Sequence, residues 1–205
     1  MWCCLVGSEM CIRDRHSCAH LLAQAVVEIY PDAQPTIGPP IENGFYYDFK
    51  MDPVGDGDLK KIEKKMQEHI RANHTLTREE HDNRTLRDMF AGNPFKIEIM
   101  NDKIGMDIGS SAYRQGDFVD LCLGPHVPST SYLRWFKLTG TSQAYWKGDS
   151  SKDSLVRIYG MCFSSKDELR ERERQIEEAK KRDHKKIGKE MELYMIDEMI
   201  GKGLP

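Results

Sequence analysis

HSCAHLLAQAVVEIY, residues 16–30, is the stretch from which the fold is read. It holds no internal proline or glycine, and Pro31 follows directly, so it reads as a helix that stops there. At about 100° per residue, His16 and His20 stand only about 40° apart. Cys18, Leu22, Ala25 and Ile29 fall roughly 180–240° from His16 and make the main apolar stripe. Ala23 and Val27 share the histidine side. A helix that is apolar nearly all round is a buried helix, so the two histidines face a pocket or a second layer.

Working outward from that helix, IENGFYYDF carries an Asn43-Gly44 turn signal into a strand. DPVGDGD reads as a polar loop ending in an N-cap at Asp58, which opens the amphipathic helix LKKIEKKMQEHIRAN. A short strand at HTLTREE and a short helix at RTLRDMF come next. After the break at GNP, FKIEIM alternates like a half-buried strand. FVDLCLGPHVP reads as a strand ending in a Gly-Pro turn, and YLRWFKLTGTSQAYWKGD and SLVRIYGMCF as further strands around a polar loop. From Ser164 the sequence becomes a long charged helix with Ser165 as its N-cap. Helices interleaved with short-looped strands predict an α+β domain with a largely antiparallel sheet rather than parallel βαβ units.

Composition bounds the function classes. The 205 residues are 39% hydrophobic and 31% charged, which suits a soluble globular chain. No apolar run approaches the ~20 residues that a membrane span requires. A net charge of −3 gives no global attraction to nucleic acid, so RNA contact rests on local patches. The cysteines, at positions 3, 4, 11, 18, 122 and 162, do not form a secreted disulfide framework and fit a reducing cytosol. MWCCLVGSEMCIRDR shows neither helical nor strand periodicity. Residues 1–14 are therefore expected to be a non-native or disordered tail, outside the fold.

A second pair matches the first. DLCLGPHVP puts Asp120 and Cys122 on one face of a strand, and the turn at Gly124-Pro125 lets His126 swing back toward them. Val119, Leu121 and Leu123 take the opposite face and are expected in the core. A histidine pair alone, or a cysteine alone, reads as packing; the two pairs together, with Asp120 adjacent, read as a site. Two chemistries fit. His16, His20, Cys122 and His126 are an acceptable tetrahedral zinc set, and the same imidazoles without metal could position and deprotonate a water. Spacing does not choose between them.

RHSCAHLLAQAV, IGPPIENGFYYDF, DLCLGPHVP, AYWKGDS, RIYG and RDHKKIGKEMELY occur in an order that resembles the bacterial-type threonyl-tRNA synthetase family, in its editing domain and linker helix, from about residue 15 to 194. The paired histidine and cysteine–histidine motifs are shared with the alanyl-tRNA synthetase editing domain and its free-standing relatives. The resemblance implies an editing domain over 15–163, a linker helix over 164–194 and the truncated start of an aminoacylation domain over 195–205. It implies hydrolysis of Ser-tRNA(Thr), with His16, His20, Lys96, Cys122 and His126 in the catalytic pocket and Asp120 placed to hold the serine ammonium. Tyr47 also matches a pocket position, although alternation sets it beside Phe45 and Phe49 as core. Lys96, by alternation alone, would face solvent; only the resemblance brings it inside. Cys122 is expected to shape the pocket rather than attack.

The resemblance further implies a metal-free editing pocket, with zinc on His16, His20, Cys122 and His126 as the alternative. The parent enzyme it implies ligates threonine to tRNA(Thr) with ATP and dimerises through an aminoacylation domain for which this sequence has no room. Two other functions stay open: a non-catalytic tRNA-binding module, and a free-standing zinc-dependent deacylase for alanyl or seryl tRNA. Residues 180–189, rich in lysine and arginine, and the cluster Arg134, Trp135 and Lys137 could meet phosphates. A solvated charged helix and an ordinary strand account for them better.

Overall fold

The computed structural model describes residues 3–42, 44–103 and 111–182. Residues 1–164 form one compact unit, and a second begins at Ser165. The first is an α+β domain with two antiparallel sheets. α1 (Cys3–Ile29) leads into β1 (Gln34–Pro35), β2 (Pro40–Ile41) and β3 (Gly44–Lys50). α2 (Asp56–Ala72), β4 (Leu76–Glu80), α3 (Asn83–Met89) and α4 (Pro94–Lys103) follow, then β5 (Ser111–Gln115), β6 (Phe118–Leu121), β7 (Trp135–Tyr145) and β8 (Ser154–Phe163). One sheet runs β1-β3-β8-β7 with β2 paired to β3, and the other runs β4-β5-β6. In the second unit, α5 (Lys166–Lys181) opens as expected, with Ser165 Oγ accepting from the Glu168 backbone N–H at 3.2 Å. Residues 183–194 of the expected linker helix, and with them the basic run at 180–189 beyond Arg182, lie outside the described residues, as do Asn43 and residues 195–205.

The core explains the path of α1. Cys18, Ala19, Leu21, Leu22, Ala23, Ala25 and Val26 are fully buried against Phe45, Phe49, Ile62, Met66 and Ile158. Burial on nearly every side is what the sequence pattern required of a helix between two layers. At about 25 cal/mol per Å² of apolar surface, this central helix is a main contributor to the domain's stability. Among the described residues no helix is long and apolar enough to cross a membrane.

Several local expectations change. α1 begins at Cys3 rather than at His16; residues 3–15 lack proline, so nothing interrupts a helical backbone even without apolar periodicity. FKIEIM is helical, not extended. Asn93 Oδ1 accepts from the backbone N–H groups of Phe95 and Lys96 at 3.1 and 3.2 Å, and Pro94 sits at the first helical position, where its missing N–H costs nothing. Asp58 is not the cap of α2; it lies inside the first turn and accepts from the Gly55 N–H at 3.2 Å. β5 was not anticipated, because SAYRQ carries no apolar alternation. Leu123 is 43% exposed rather than core, since β6 ends at Leu121 and the chain has already turned.

Candidate functional site

The site lies where α1, the end of β6 and the first turn of α4 meet. His16 and His20 share one face of α1, and their rings lie 5.3 Å apart. His126 inserts between them, 4.3 Å from each ring. Cys122 Sγ lies 3.3 Å from His16 Nε2 and 3.2 Å from His126 Nε2 and accepts the Gly124 N–H at 3.2 Å. The turn that returns His126 depends on Gly124. Its φ is +74°, and a Cβ there would lie 2.2 Å from the Tyr113 hydroxyl, so only glycine fits. The Gly124-Pro125 bond is cis.

Beside this cluster is a buried charged group. Lys96 Nζ forms an ion pair with Asp120 Oδ1, both side chains nearly inaccessible. Lys96 also donates to the Tyr47 hydroxyl at 3.1 Å, and that hydroxyl donates to Asp120 Oδ2 at 2.6 Å. Asp120 Oδ1 accepts the Leu121 N–H at 2.8 Å, and Oδ2 faces His20 Nδ1 at 3.5 Å. Both carboxylate oxygens are thus engaged inside the domain. Tyr47 serves two roles that the sequence set against each other: its ring stacks on Phe49 with centroids 4.9 Å apart, while its oxygen reaches the site.

The environment selects protonation states. Burial drives His20 and His126 far below the ordinary imidazole range, reinforced by the repulsion that charging clustered rings would bring and, for His20, by Lys96, and lowers His16 as well. Three neutral imidazoles at neutral pH offer lone pairs to a proton or a metal. Tyr47 is pushed up by burial and by Asp120, so it remains a hydrogen-bond donor.

All seven residues named from the sequence therefore converge: His16, His20, Tyr47, Lys96, Asp120, Cys122 and His126. The polar face of β6 is the buried one, with Asp120 and Cys122 2% and 8% exposed, because it is the face turned toward α1. Sequence reasoning missed two neighbours. Tyr113 packs edge-on against His126 with ring centroids 4.4 Å apart, and it lies on the unforeseen strand β5, opposite Asp120. Ser17 lies 3.0 Å from His126 Nδ1; its position between two histidines was the available signal. Arg134, Trp135 and Lys137 are not among the residues that form this pocket.

The four donors form a candidate metal-binding cluster. One ligand atom from each of His16, His20, Cys122 and His126 lies within 4.8 Å of the others. The two sulfur–nitrogen separations, 3.2 and 3.3 Å, are about the edge of a tetrahedron with bonds of ~2.0–2.3 Å.

Comparison with known proteins places this geometry in context. Residues 111–159 match the family described as the threonyl and alanyl tRNA synthetase second additional domain. That span contains Asp120, Cys122 and His126, while His16, His20, Tyr47 and Lys96 lie before it. The chain is 49% identical over 193 residues to a threonine–tRNA ligase of Campylobacter lari, covering 93% of this chain and 32% of the relative. It is 49% identical over 191 residues to that of Thermoplasma acidophilum, covering 93% of this chain and 28% of the relative. Against the Staphylococcus epidermidis threonine–tRNA ligase it is 46% identical over 201 residues, covering 97% of this chain and 31% of the relative. The chain therefore spans about a third of the length of these curated relatives.

Proposed function

We propose that this chain, similar to threonine–tRNA ligases and matching over residues 111–159 the second additional domain of the threonyl and alanyl tRNA synthetases, hydrolyses the ester of mischarged Ser-tRNA(Thr) by an activated water. The observation that carries this reading is the convergence of three neutral imidazoles and a thiol beside a buried lysine–carboxylate–tyrosine group. His16, the least depressed of the three imidazoles, can take a proton from the attacking water; general-base catalysis contributes about 10²–10⁴-fold where the base's pKa lies near the working pH. The Lys96 ammonium, held in place by Asp120 and Tyr47, supplies fixed positive charge toward an oxyanion developing at the ester carbonyl. Asp120 is then the counter-charge of Lys96, and a serine ammonium entering the pocket would share it. Cys122 fills the space between two imidazoles. Such a second pocket serves a real need, because one methyl group separates serine from threonine and is worth only ~1–3 kcal/mol in a binding site. In the whole protein we place this reaction beside ATP-dependent ligation of threonine to tRNA(Thr), in a cytosolic homodimer.

The test is ester loss from Ser-tRNA(Thr) and Thr-tRNA(Thr) incubated with the chain. Serine is expected to be released faster than threonine and faster than in buffer. Serine release no faster than buffer rejects the catalytic reading and leaves a tRNA-binding module.

The four-donor geometry favours one second reading, a zinc-dependent site. His16, His20, Cys122 and His126 would hold the ion, which when bound would supply a Lewis acid and a water of lowered pKa. Metal analysis of the purified chain and of His20→Ala decides between the readings. Stoichiometric zinc lost in the variant overturns the metal-free reading.

A further inference from the structure

Ser17 Oγ has three neighbours at hydrogen-bond distance, and their chemistry leaves one arrangement of protons. It lies 2.8 Å from the Arg13 carbonyl, one helical turn earlier on α1. The Val127 backbone N–H points at it from 3.0 Å. His126 Nδ1 is the third neighbour, also at 3.0 Å. A carbonyl only accepts, so the single hydroxyl proton goes to Arg13. An amide N–H only donates, so Val127 takes one lone pair of Oγ. The remaining lone pair faces His126 Nδ1, and that contact is a hydrogen bond only if the imidazole carries its proton on Nδ1. Ser17 is completely buried, so its hydroxyl must be satisfied inside the domain, and these three groups are at hand to do so.

We infer that Ser17 is a positioning residue that locks His126 as the Nδ1–H tautomer and thereby turns the bare Nε2 lone pair into the pocket. Nε2 is the atom that lies 3.2 Å from Cys122 Sγ. The opposite tautomer would place a proton there and leave Nδ1 and Ser17 Oγ facing each other with lone pairs only. The same serine also ties the two halves of the site together. It bridges the helix that carries His16 and His20 to the turn that carries His126, through both the ring and the next backbone amide. The arrangement follows a general pattern in which the group held by one imidazole nitrogen decides what the other can do. The consequence for hydrolysis rests on the reading of the site as an editing pocket; the tautomer does not.

The experiment uses the whole chain labelled with ¹⁵N-histidine, in the presence of a chelator. Long-range ¹H–¹⁵N correlation at pH 7.5 reports which ring nitrogen carries the proton, and His126→Asn assigns the signal. The wild type is expected to show His126 as a single Nδ1–H tautomer. Ser17→Ala is expected to show a mixture or the Nε2–H form, while Ser17→Thr, which keeps the hydroxyl, restores the original pattern. In Ser-tRNA(Thr) deacylation, Ser17→Ala is expected to lower kcat by about 10–100-fold with little change in KM, the range for a lost outer hydrogen bond to a working histidine, and Ser17→Thr to recover most of it. An Nε2–H tautomer in the wild type overturns the inference without any variant having to fold. A Ser17→Ala chain that keeps the pure Nδ1–H form overturns it equally. If the wild type releases no serine, the editing reading fails, and the two spectra still decide the role of Ser17.

Discussion

Lys96 on α4 and Asp120 on β6 form an ion pair in which the two side chains are only 4% and 3% exposed. A buried pair adds little to stability by existing, because desolvation offsets most of the attraction, but it is expensive to halve. Lys96→Met leaves the Asp120 carboxylate buried with Tyr47 and a backbone amide as its main partners. The expected loss is about 3–5 kcal/mol by urea denaturation. Lys96→Met combined with Asp120→Asn should cost less than the two single changes summed, since the second removes the charge stranded by the first. Strict additivity in that cycle would mean the two groups do not share one site.

Tyr47→Phe isolates one hydroxyl. The ring keeps its stacking on Phe49, while a donor to Asp120 and an acceptor for Lys96 disappear. Stability should fall by about 1–3 kcal/mol, the cost of leaving a buried polar partner unsatisfied. Deacylation should slow more than folding suffers. Lys96 loses one of its anchors, and a charged group displaced by about 1 Å can cost ~10²-fold in rate. An unchanged rate in a folded Tyr47→Phe chain would place Lys96 outside the reaction.

The fold and the site were legible to different degrees, for physical reasons. The residues that converge were readable because helical and strand periods put His16 with His20, and Asp120 with Cys122, on common faces. The element under Lys96 was not, since FKIEIM satisfies alternation while its start obeys helix rules: Asn93 caps and Pro94 initiates. Alternation misjudged the two faces of β6, because which face is buried depends on where α1 packs, a long-range fact. Tyr113 was invisible because its strand is polar. Ser17 was visible as a residue but not as a contact, since its partner lies across the fold on a turn made possible by Gly124.

A control outside the pocket separates stability from chemistry. Arg157 on β8 donates through Nε and Nη2 to the two oxygens of Asp48 at 2.7 and 2.8 Å and stacks 4.0 Å above the Tyr46 ring. Tyr46 and Asp48 point to the face of β3 opposite Tyr47. Arg157→Lys loses the fork and the stacking together, and stability should drop by about 1–2 kcal/mol in urea denaturation. Serine release at 25 °C, measured per folded molecule, should stay within about twofold of wild type, because additive sites distant from one another do not couple. A large loss of rate would show that the outer face of the sheet takes part in the pocket.

The buried imidazoles also set a pH limit on the fold. In the unfolded chain each histidine titrates near ~6.5. In the folded chain burial lowers His16 and drives His20 and His126 much further down. Below pH ~6.5 the unfolded state therefore binds more protons, and stability falls with pH. The stabilising contribution of the neutral rings is complete above the unfolded value and is lost as pH falls from there toward the folded values. For His20 and His126, a drop from pH 7.5 to 5.5 costs about 1.4 kcal/mol each, about 3 kcal/mol together, with a smaller share from His16. The lowered carboxylates, such as Glu79 beside Arg114 and Glu98 beside Lys147, act in a separate window. Their contribution is present above their unfolded values near ~4.3 and is lost only below that. Urea midpoints measured in chelator at pH 7.5, 6.5 and 5.5 should fall steadily, and His126→Asn should remove about half of the slope. Equal stability across those three pH values would mean that the histidines are solvated, and the neutral-imidazole chemistry assigned to the pocket would lose its physical basis.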